Sequence, residues 1–129
     1  MKSTMQKNNP DKAQCSGSLR AIGDALYAIG GKWKLRIIVA LSEDNKRFND
    51  LQRALDGISA KVLSSELKDL ELNGFVKRNV FTGTPVVVEY ELTRYSDTLH
   101  EVMQALGNWG TMHREKIKKD LKKSMQVSN

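Results

Sequence analysis

Apolar residues recur at intervals of three and four along most of the chain, which is typical of helices with one buried face. The first such stretch follows Ser18, which can cap a helix, and Gly30 and Gly31 end it. Residues 33–41 are apolar on most sides, so we expect a helix that its neighbours cover on several faces. The pattern therefore predicts a core arranged around this second helix.

Two further helices follow, separated by a tight turn. Asn49 can cap a short helix, and the Asp56-Gly57 pair is a turn signal. Ser59 can cap the next helix, residues 60–73, and Gly74 supplies a left-handed stop. This arrangement predicts a helix-turn-helix.

The pattern then changes to that of strands. Residues 75–81 and 86–92 are rich in β-branched and aromatic residues, and the turn 82–85 separates them, which predicts a β-hairpin. Arg47 and Phe48 can form a very short strand. A long helical region starts at Thr93 and runs to about residue 119 or beyond.

Taken together, these elements predict an α+β fold that is mostly α. We expect a winged helix-turn-helix with a two-stranded wing hairpin, flanked by N- and C-terminal helices that serve dimerisation. We place this domain at residues 16–121, between polar tails at 1–15 and 122–129 that we expect to be flexible.

Helix 60–73 has two chemically different sides. At about 100° per residue, its apolar side carries Val62, Leu63, Leu67 and Leu70. The opposite side is basic and hydroxyl-bearing, with Lys61, Ser64, Ser65 and Lys68. Lysine can neutralise phosphate or donate to guanine, and serine can bond to base edges or phosphate. This side is either a DNA-reading surface or an ordinary solvated face, and the surrounding helix-turn-helix and hairpin favour DNA.

Other candidate DNA contacts lie near this helix in the predicted fold. Lys46 and Arg47 precede the short helix and can contact the DNA backbone, or simply lie in a solvated loop. Ser59 lies at the N-terminus of the DNA-reading helix. The tip of the wing contributes Thr82, Gly83 and Thr84. Strand alternation places Arg78 on the opposite face from its neighbours, Lys77 and Asn79, so only some of these can face DNA.

Composition agrees with a nucleic-acid partner. The chain has 129 residues, with 21 Lys and Arg against 15 Asp and Glu, a formal charge of +6. A basic excess favours polyanions, either nucleic acid or an anionic membrane. The sequence lacks both an apolar run long enough for a membrane span and the apolar core of a signal peptide, so we expect a cytoplasmic protein with no membrane partner.

The residues give little support for catalysis. Neither His100 nor His113 has the spacing of a metal ligand, and Gly30-Gly31 lacks the Lys-Ser/Thr pattern of a P-loop. We therefore expect no enzyme activity, no cofactor and no metal site.

Four segments together resemble the HxlR-type family of bacterial winged-helix regulators, within the wider MarR-like group. They are IGGKWKLRIIVAL, RFNDLQRALDGISAKVLSSELKDLELNGFVKRNVF, PVVVEYELT and LHEVMQALGNW. The resemblance implies a homodimer that represses or activates nearby genes by binding inverted-repeat operators. It also implies a recognition helix starting at Ser59, a wing at about 80–87, and Arg78 against the DNA backbone.

The single cysteine, Cys15, excludes an intrachain disulfide framework. Some HxlR-type proteins sense electrophiles or oxidants through a cysteine at this position, usually followed by proline, where this chain has Ser16. Many also have glycine where this chain has Ser96. Cys15 is therefore either a redox sensor, open to an oxidant or small-molecule effector, or a small apolar residue packed against a dimer partner.

Two other functions stay open at this stage. A winged helix can bind proteins through the same helix, but an apolar patch would then be expected in place of lysine and serine. A nucleoid-type protein would bind DNA with little sequence preference. The apolar stripe of the last helix either packs on a second subunit or covers the chain's own core.

Overall fold

The computed structural model describes residues 12–127, with side chains described for 17–126. Five α-helices, three strands and one 3-10 helix follow one another along this part of the chain. In order they are α1 (Lys12–Ile29), α2 (Lys34–Glu43), β1 (Lys46–Arg47), α3 (Phe48–Ala54), α4 (Ala60–Leu72), β2 (Val76–Phe81), β3 (Val87–Leu92), the 3-10 helix (Arg94–Leu99) and α5 (His100–Val127). The backbone divides into two compact units, the first ending at Thr93 and the second starting at Arg94.

The core of the first unit is arranged around α2, as the sequence predicts. This helix contacts α3, α4 and β3. Burial of its apolar residues on several sides supplies the hydrophobic stabilisation of this unit. The buried apolar residues of the unit are Ile37, Ile38, Ala40, Leu41, Leu51, Leu55, Ile58, Leu63, Leu67, Leu70, Phe75 and Val76.

Helices α3 and α4 form the predicted helix-turn-helix. Gly57 has a φ of 94° in the turn between them, a conformation that glycine adopts without steric cost. The amide of Gln52 in α3 donates to the carbonyl of Ile58 at 3.2 Å, which ties the turn to the helix before it. The Ser59 hydroxyl accepts from the backbone N–H of Val62 at 3.1 Å. Ser59 is therefore the predicted N-cap of α4.

The cap predicted for the short helix is wrong. Helix α3 already begins at Phe48, and its N-cap residue is Arg47, without a side-chain cap bond. Lys46 and Arg47, rather than Arg47 and Phe48, form the short strand β1. Asn49 lies within the helix because the chain passes directly from the strand into the first helical turn.

The sheet has three strands rather than the two of a simple hairpin. Its order is β1-β3-β2, and both pairings are antiparallel. Lys46 pairs with Tyr90 and Arg47 with Glu89, which makes β3 the central strand. The β2–β3 hairpin runs from the Val76–Leu92 pair to the Phe81–Val87 pair. This places the loop 82–86 at the tip of the wing.

The terminal helices extend beyond the predicted domain limits. Helix α1 starts at Lys12, six residues before the expected cap Ser18, so the backbone of Cys15 lies in its first turn. Helix α5 continues to Val127, through most of the segment that we expected to be a tail. The single domain at 16–121 stays a prediction. Within residues 12–127, none of the helices combines the length and apolar character needed to cross a bilayer.

Candidate nucleic-acid interface

Helix α4 presents the two sides that its sequence predicts, with one correction. Leu63, Leu67 and Leu70 are buried, and Lys61, Ser64, Ser65 and Lys68 are all exposed. Val62, which we assigned to the apolar side, is 38% exposed. It lies about 100° from the centre of the buried leucines and therefore falls on the flank of the helix. The polar side thus forms a continuous exposed surface of two cations and two hydroxyls.

The N-terminus of α4 adds to the positive potential of this surface. Unpaired N–H groups at a helix start carry partial positive charge and attract anions. Ser59 is exposed, but its hydroxyl already accepts from Val62. The hydroxyl hydrogen remains available for donation to a phosphate, so capping and a DNA contact are compatible.

An ion pair that the sequence did not reveal lies on another side of α4. The ammonium group of Lys34, at the start of α2, is 2.6 Å from Glu66 Oε1 and 3.5 Å from Asp69 Oδ2. The hydrogen bond to Glu66 raises the pKa of Lys34 above its ordinary value, while burial works in the opposite direction. Lys34 is therefore cationic at neutral pH and is held between two carboxylates of α4.

The two cations predicted just before α3 differ in their surroundings. Lys46 is half-buried, and its ammonium group lies 3.1 Å from Asp44 Oδ1 and 3.9 Å from Glu43 Oε1. Arg47 is exposed at the end of β1. Arg47 is thus the more accessible of the two for a phosphate, because Lys46 must first give up its contacts with acids.

The wing carries its polar groups on exposed positions. Arg78 is exposed opposite Tyr90, while the Asn79 amide donates to Glu91 Oε1 at 2.6 Å. Lys77 is also exposed and pairs in register with Glu91. Of the two neighbours of Arg78, Asn79 is therefore hydrogen-bonded to an acid, and Lys77 faces the same acid across the strand pair. At the tip, Thr82, Gly83 and Thr84 are all exposed.

A second cluster missed from the sequence surrounds Trp33. The Lys32 ammonium group lies 5.0 Å from the centre of the indole ring, and the Arg36 guanidinium lies 5.5 Å from it. Both distances fit cation–π attraction. Because Lys32 and Arg36 are four residues apart, the sequence could have indicated that they lie on the same side of the N-terminus of α2. By contrast, Lys34 and Glu66 are 32 positions apart, and no local pattern joins them.

The described residues do not include a cluster of three or more His, Cys, Asp or Glu side chains that could hold a metal ion. The exposed cations and hydroxyls of α4 and the wing are instead suited to contact with an extended anionic surface.

Comparison with known proteins also identifies a helix-turn-helix protein. A sequence model of the HxlR-like helix-turn-helix family matches residues 28–118, which include every element from α2 to β3. The chain belongs to this family.

Individual helix-turn-helix regulators resemble this chain over most of their length. The HTH-type transcriptional regulator BH0655 of Halalkalibacterium halodurans, itself uncharacterized, is 42% identical over 104 residues, which cover 76% of this chain and 92% of the relative. The crystal structure of the HTH-type regulator ytcD has a TM-score of 0.70 at 36% identity, covering 73% of this chain and 96% of that one.

A third comparison is with a protein described as the redox regulator HypR. Its reduced form has a TM-score of 0.71 at 32% identity, covering 77% of this chain and 98% of that one. These similarities confirm the winged helix-turn-helix fold and the family that the sequence motifs indicate. This HxlR-family chain is a transcriptional regulator of the helix-turn-helix type and not an enzyme.

Proposed function

We propose that this HxlR-family regulator binds duplex DNA sequence-specifically, as a homodimer on an inverted-repeat operator. The observation that carries the proposal is the exposed face of α4, where Lys61, Ser64, Ser65 and Lys68 lie opposite a buried row of leucines. A helix fits the major groove of B-DNA, where base edges present distinct patterns of donors and acceptors. A face of cations and hydroxyls can bond to both phosphates and base edges.

Additional contacts come from the elements on either side of α4. The proposed phosphate ligands are Arg47 and Lys46 before α3, Ser59 at the cap of α4, and Arg78 in β2. The wing tip, with Thr82, Gly83 and Thr84, reaches the adjacent sugar–phosphate backbone through hydroxyl and backbone N–H groups. Such contacts fix the position of a protein on the duplex, while base contacts from α4 give specificity.

The exposed apolar residues of the terminal helices support a homodimer. In α1, Leu19, Ile22 and Leu26 follow helical spacing and are 74%, 57% and 62% exposed. In α5, a long apolar stripe is also exposed, comprising Val102, Leu106, Trp109, Met112, Ile117, Leu121 and Met125. Soluble proteins rarely leave such continuous apolar surface in water, and a second copy of the same surface can cover it. In solution, we expect a mass of twice the 14.5 kDa of the chain.

The DNA proposal can be tested by selecting bound duplexes from a random library at near-physiological salt and sequencing them. We expect an inverted repeat with half-sites about one helical turn apart, or a multiple of that spacing, because a twofold dimer reads a twofold site. Retained DNA without an enriched sequence would indicate a nucleoid-type binder. Failure to retain DNA, with folded dimeric protein in hand, would favour a protein-interaction module.

We further propose that Cys15 makes DNA binding responsive to oxidants or electrophiles. Its backbone lies in the first turn of α1, and its side chain lies outside the described residues. The position supports the proposal because a helix N-terminus stabilises a thiolate, the reactive form of cysteine. The proposal is also supported by similarity to HypR, which is described as a redox regulator and has been solved in reduced and oxidized forms.

The thiol proposal can be tested by measuring operator affinity before and after treatment with a mild thiol oxidant, in the wild type and in Cys15→Ser. We expect the oxidant to change the affinity of the wild type and a reductant to restore it. The variant should keep the wild-type affinity in both conditions. An equal response in the variant would exclude Cys15 as the sensor, since the chain has no other cysteine.

A further inference from the structure

The charge of the DNA-reading helix alone is unfavourable for a polyanion. Between Ala60 and Leu72, two lysines stand against three carboxylates, those of Glu66, Asp69 and Glu71. A helix with a net negative charge would be repelled by phosphates on both sides of a groove. The rest of the protein must therefore offset these carboxylates if α4 is to approach DNA closely.

Lys34 contacts two of the three carboxylates at once. Its ammonium group is 2.6 Å from Glu66 Oε1 and 3.5 Å from Asp69 Oδ2, and its side chain is only 12% exposed. The Glu66 side chain is 22% exposed, so this pair is largely shielded from solvent. Screening by salt is weaker for partly buried pairs than for exposed ones. The compensation of Glu66 therefore persists at physiological ionic strength, while the contact with Asp69, whose side chain is 52% exposed, is screened more strongly.

The position of these carboxylates on the helix explains why they can be neutralised without blocking the DNA-reading face. At about 100° per residue, Glu66 lies about 150° from the centre of that face and Asp69 about 90° from it. Lys34 reaches them from α2 and leaves the exposed side chains Lys61 and Lys68 unobstructed. The lysine thus adds positive charge where the acids lie, away from the surface that would meet bases.

We propose that Lys34 is a charge-compensating residue of the DNA-binding surface: its single positive charge, shared between Glu66 and Asp69, removes the net negative charge of α4. The inference rests on the proposed DNA binding and adds to it a residue that does not itself contact DNA. An ordinary structural ion pair would affect folding only. A direct phosphate ligand would add one counterion-releasing contact in each subunit.

The test compares Lys34→Met, Glu66→Gln and the double variant, using a labelled duplex selected by the wild type and a salt titration. Lys34→Met exposes an uncompensated carboxylate charge in each subunit. We expect binding to weaken about threefold per subunit, or about tenfold for a dimer, a size typical of a single modest charge interaction. The double variant restores the charge balance, so its affinity should return to within about twofold of the wild type.

Two further comparisons separate charge compensation from other roles. Glu66→Gln alone should bind DNA equally or more tightly, because it removes a negative charge. Lys122→Met is a control, since it removes an exposed lysine from the other unit, on the side of α5 away from Trp109 and Ile117. We expect its affinity to stay within about twofold of the wild type. Circular dichroism and thermal melting would establish that each variant is folded.

The outcomes are distinct. Weaker binding by Glu66→Gln would overturn the proposal and indicate that the ion pair positions the helix. A double variant as weak as Lys34→Met, with a salt slope lower by about 0.9 per subunit, would overturn it in favour of a direct phosphate contact. If Lys34→Met fails to fold, the DNA affinities of Glu66→Gln and of the double variant still test the proposal. Wild-type protein that binds no duplex would refute the proposed function itself, whereas equal binding by wild type and Lys34→Met would refute only this inference.

Discussion

Replacement of Lys61 by alanine is the most direct perturbation of the proposed DNA contact. Lys61 lies in the first turn of α4, is exposed, and makes no ion pair with any side chain among residues 17–126. Alanine favours helix at least as well as lysine, and the Ser59 cap is left in place. The substitution therefore removes the charge while leaving the helix intact.

The magnitude follows from counterion release. Each phosphate neutralised on B-DNA contributes about −0.9 to the slope of log affinity against log salt. Two copies of Lys61 in the proposed dimer would contribute about −1.8. A fourfold rise in salt would then cost the wild type about 12-fold more affinity than the variant. The difference between the two proteins should therefore be large at low salt and small at high salt.

Fluorescence anisotropy with a labelled operator, at about four salt concentrations from 50 to 200 mM, measures this slope. Lys122→Ala is a suitable control, because it removes the same charge from α5 without altering α4. We expect this control to keep the wild-type slope. Unchanged affinity and slope in Lys61→Ala would refute the contact. Lower affinity at an unchanged slope would indicate that Lys61 contacts a base rather than a phosphate.

Three other predictions concern the supports of this surface. Ser59→Ala should lower the free energy of unfolding by about 1 kcal/mol, and Ser59→Asn should recover most of it, because asparagine also caps helices; urea unfolding checks both. Leu70→Ala removes a fully buried side chain from α4 and should cost about 2–5 kcal/mol in the same assay; a loss below about 1 kcal/mol would contradict the assigned core position. The stabilisation by Lys34 is the free energy of unfolding of the wild type minus that of Lys34→Met. This difference should be constant up to about pH 10 and disappear at higher pH. Its pKa is raised in the folded state, so the contribution is complete below the ordinary value of 10.5 and is lost as pH rises through the folded value; unfolding in urea between pH 8 and 11 would reveal a flat profile if this were wrong.

Much of the fold was readable from local sequence signals. The Ser59 cap, the turn at Gly57 and the buried leucines of α4 follow from rules that act within a few residues. The exposed polar face of α4 followed from the same periodicity. Local rules failed at boundaries: α3 starts at Phe48 rather than after Asn49, and α1 starts at Lys12. Helix ends depend on the preceding chain and on tertiary packing as well as on capping residues.

What tertiary structure alone decided involves residues distant in sequence. The sequence pattern predicted a hairpin and a very short strand at Arg47 and Phe48. Only the structure showed that Lys46 and Arg47 form this strand and pair with β3, because local patterns do not specify which strands pair. The same holds for the pairing of Lys34 with Glu66 and Asp69. Periodicity could place these acids on the helix, but only the packing of α2 against α4 brings a lysine to them. Local periodicity thus determined which side of α4 is polar, and the tertiary fold determined which lysine lies against two of its carboxylates.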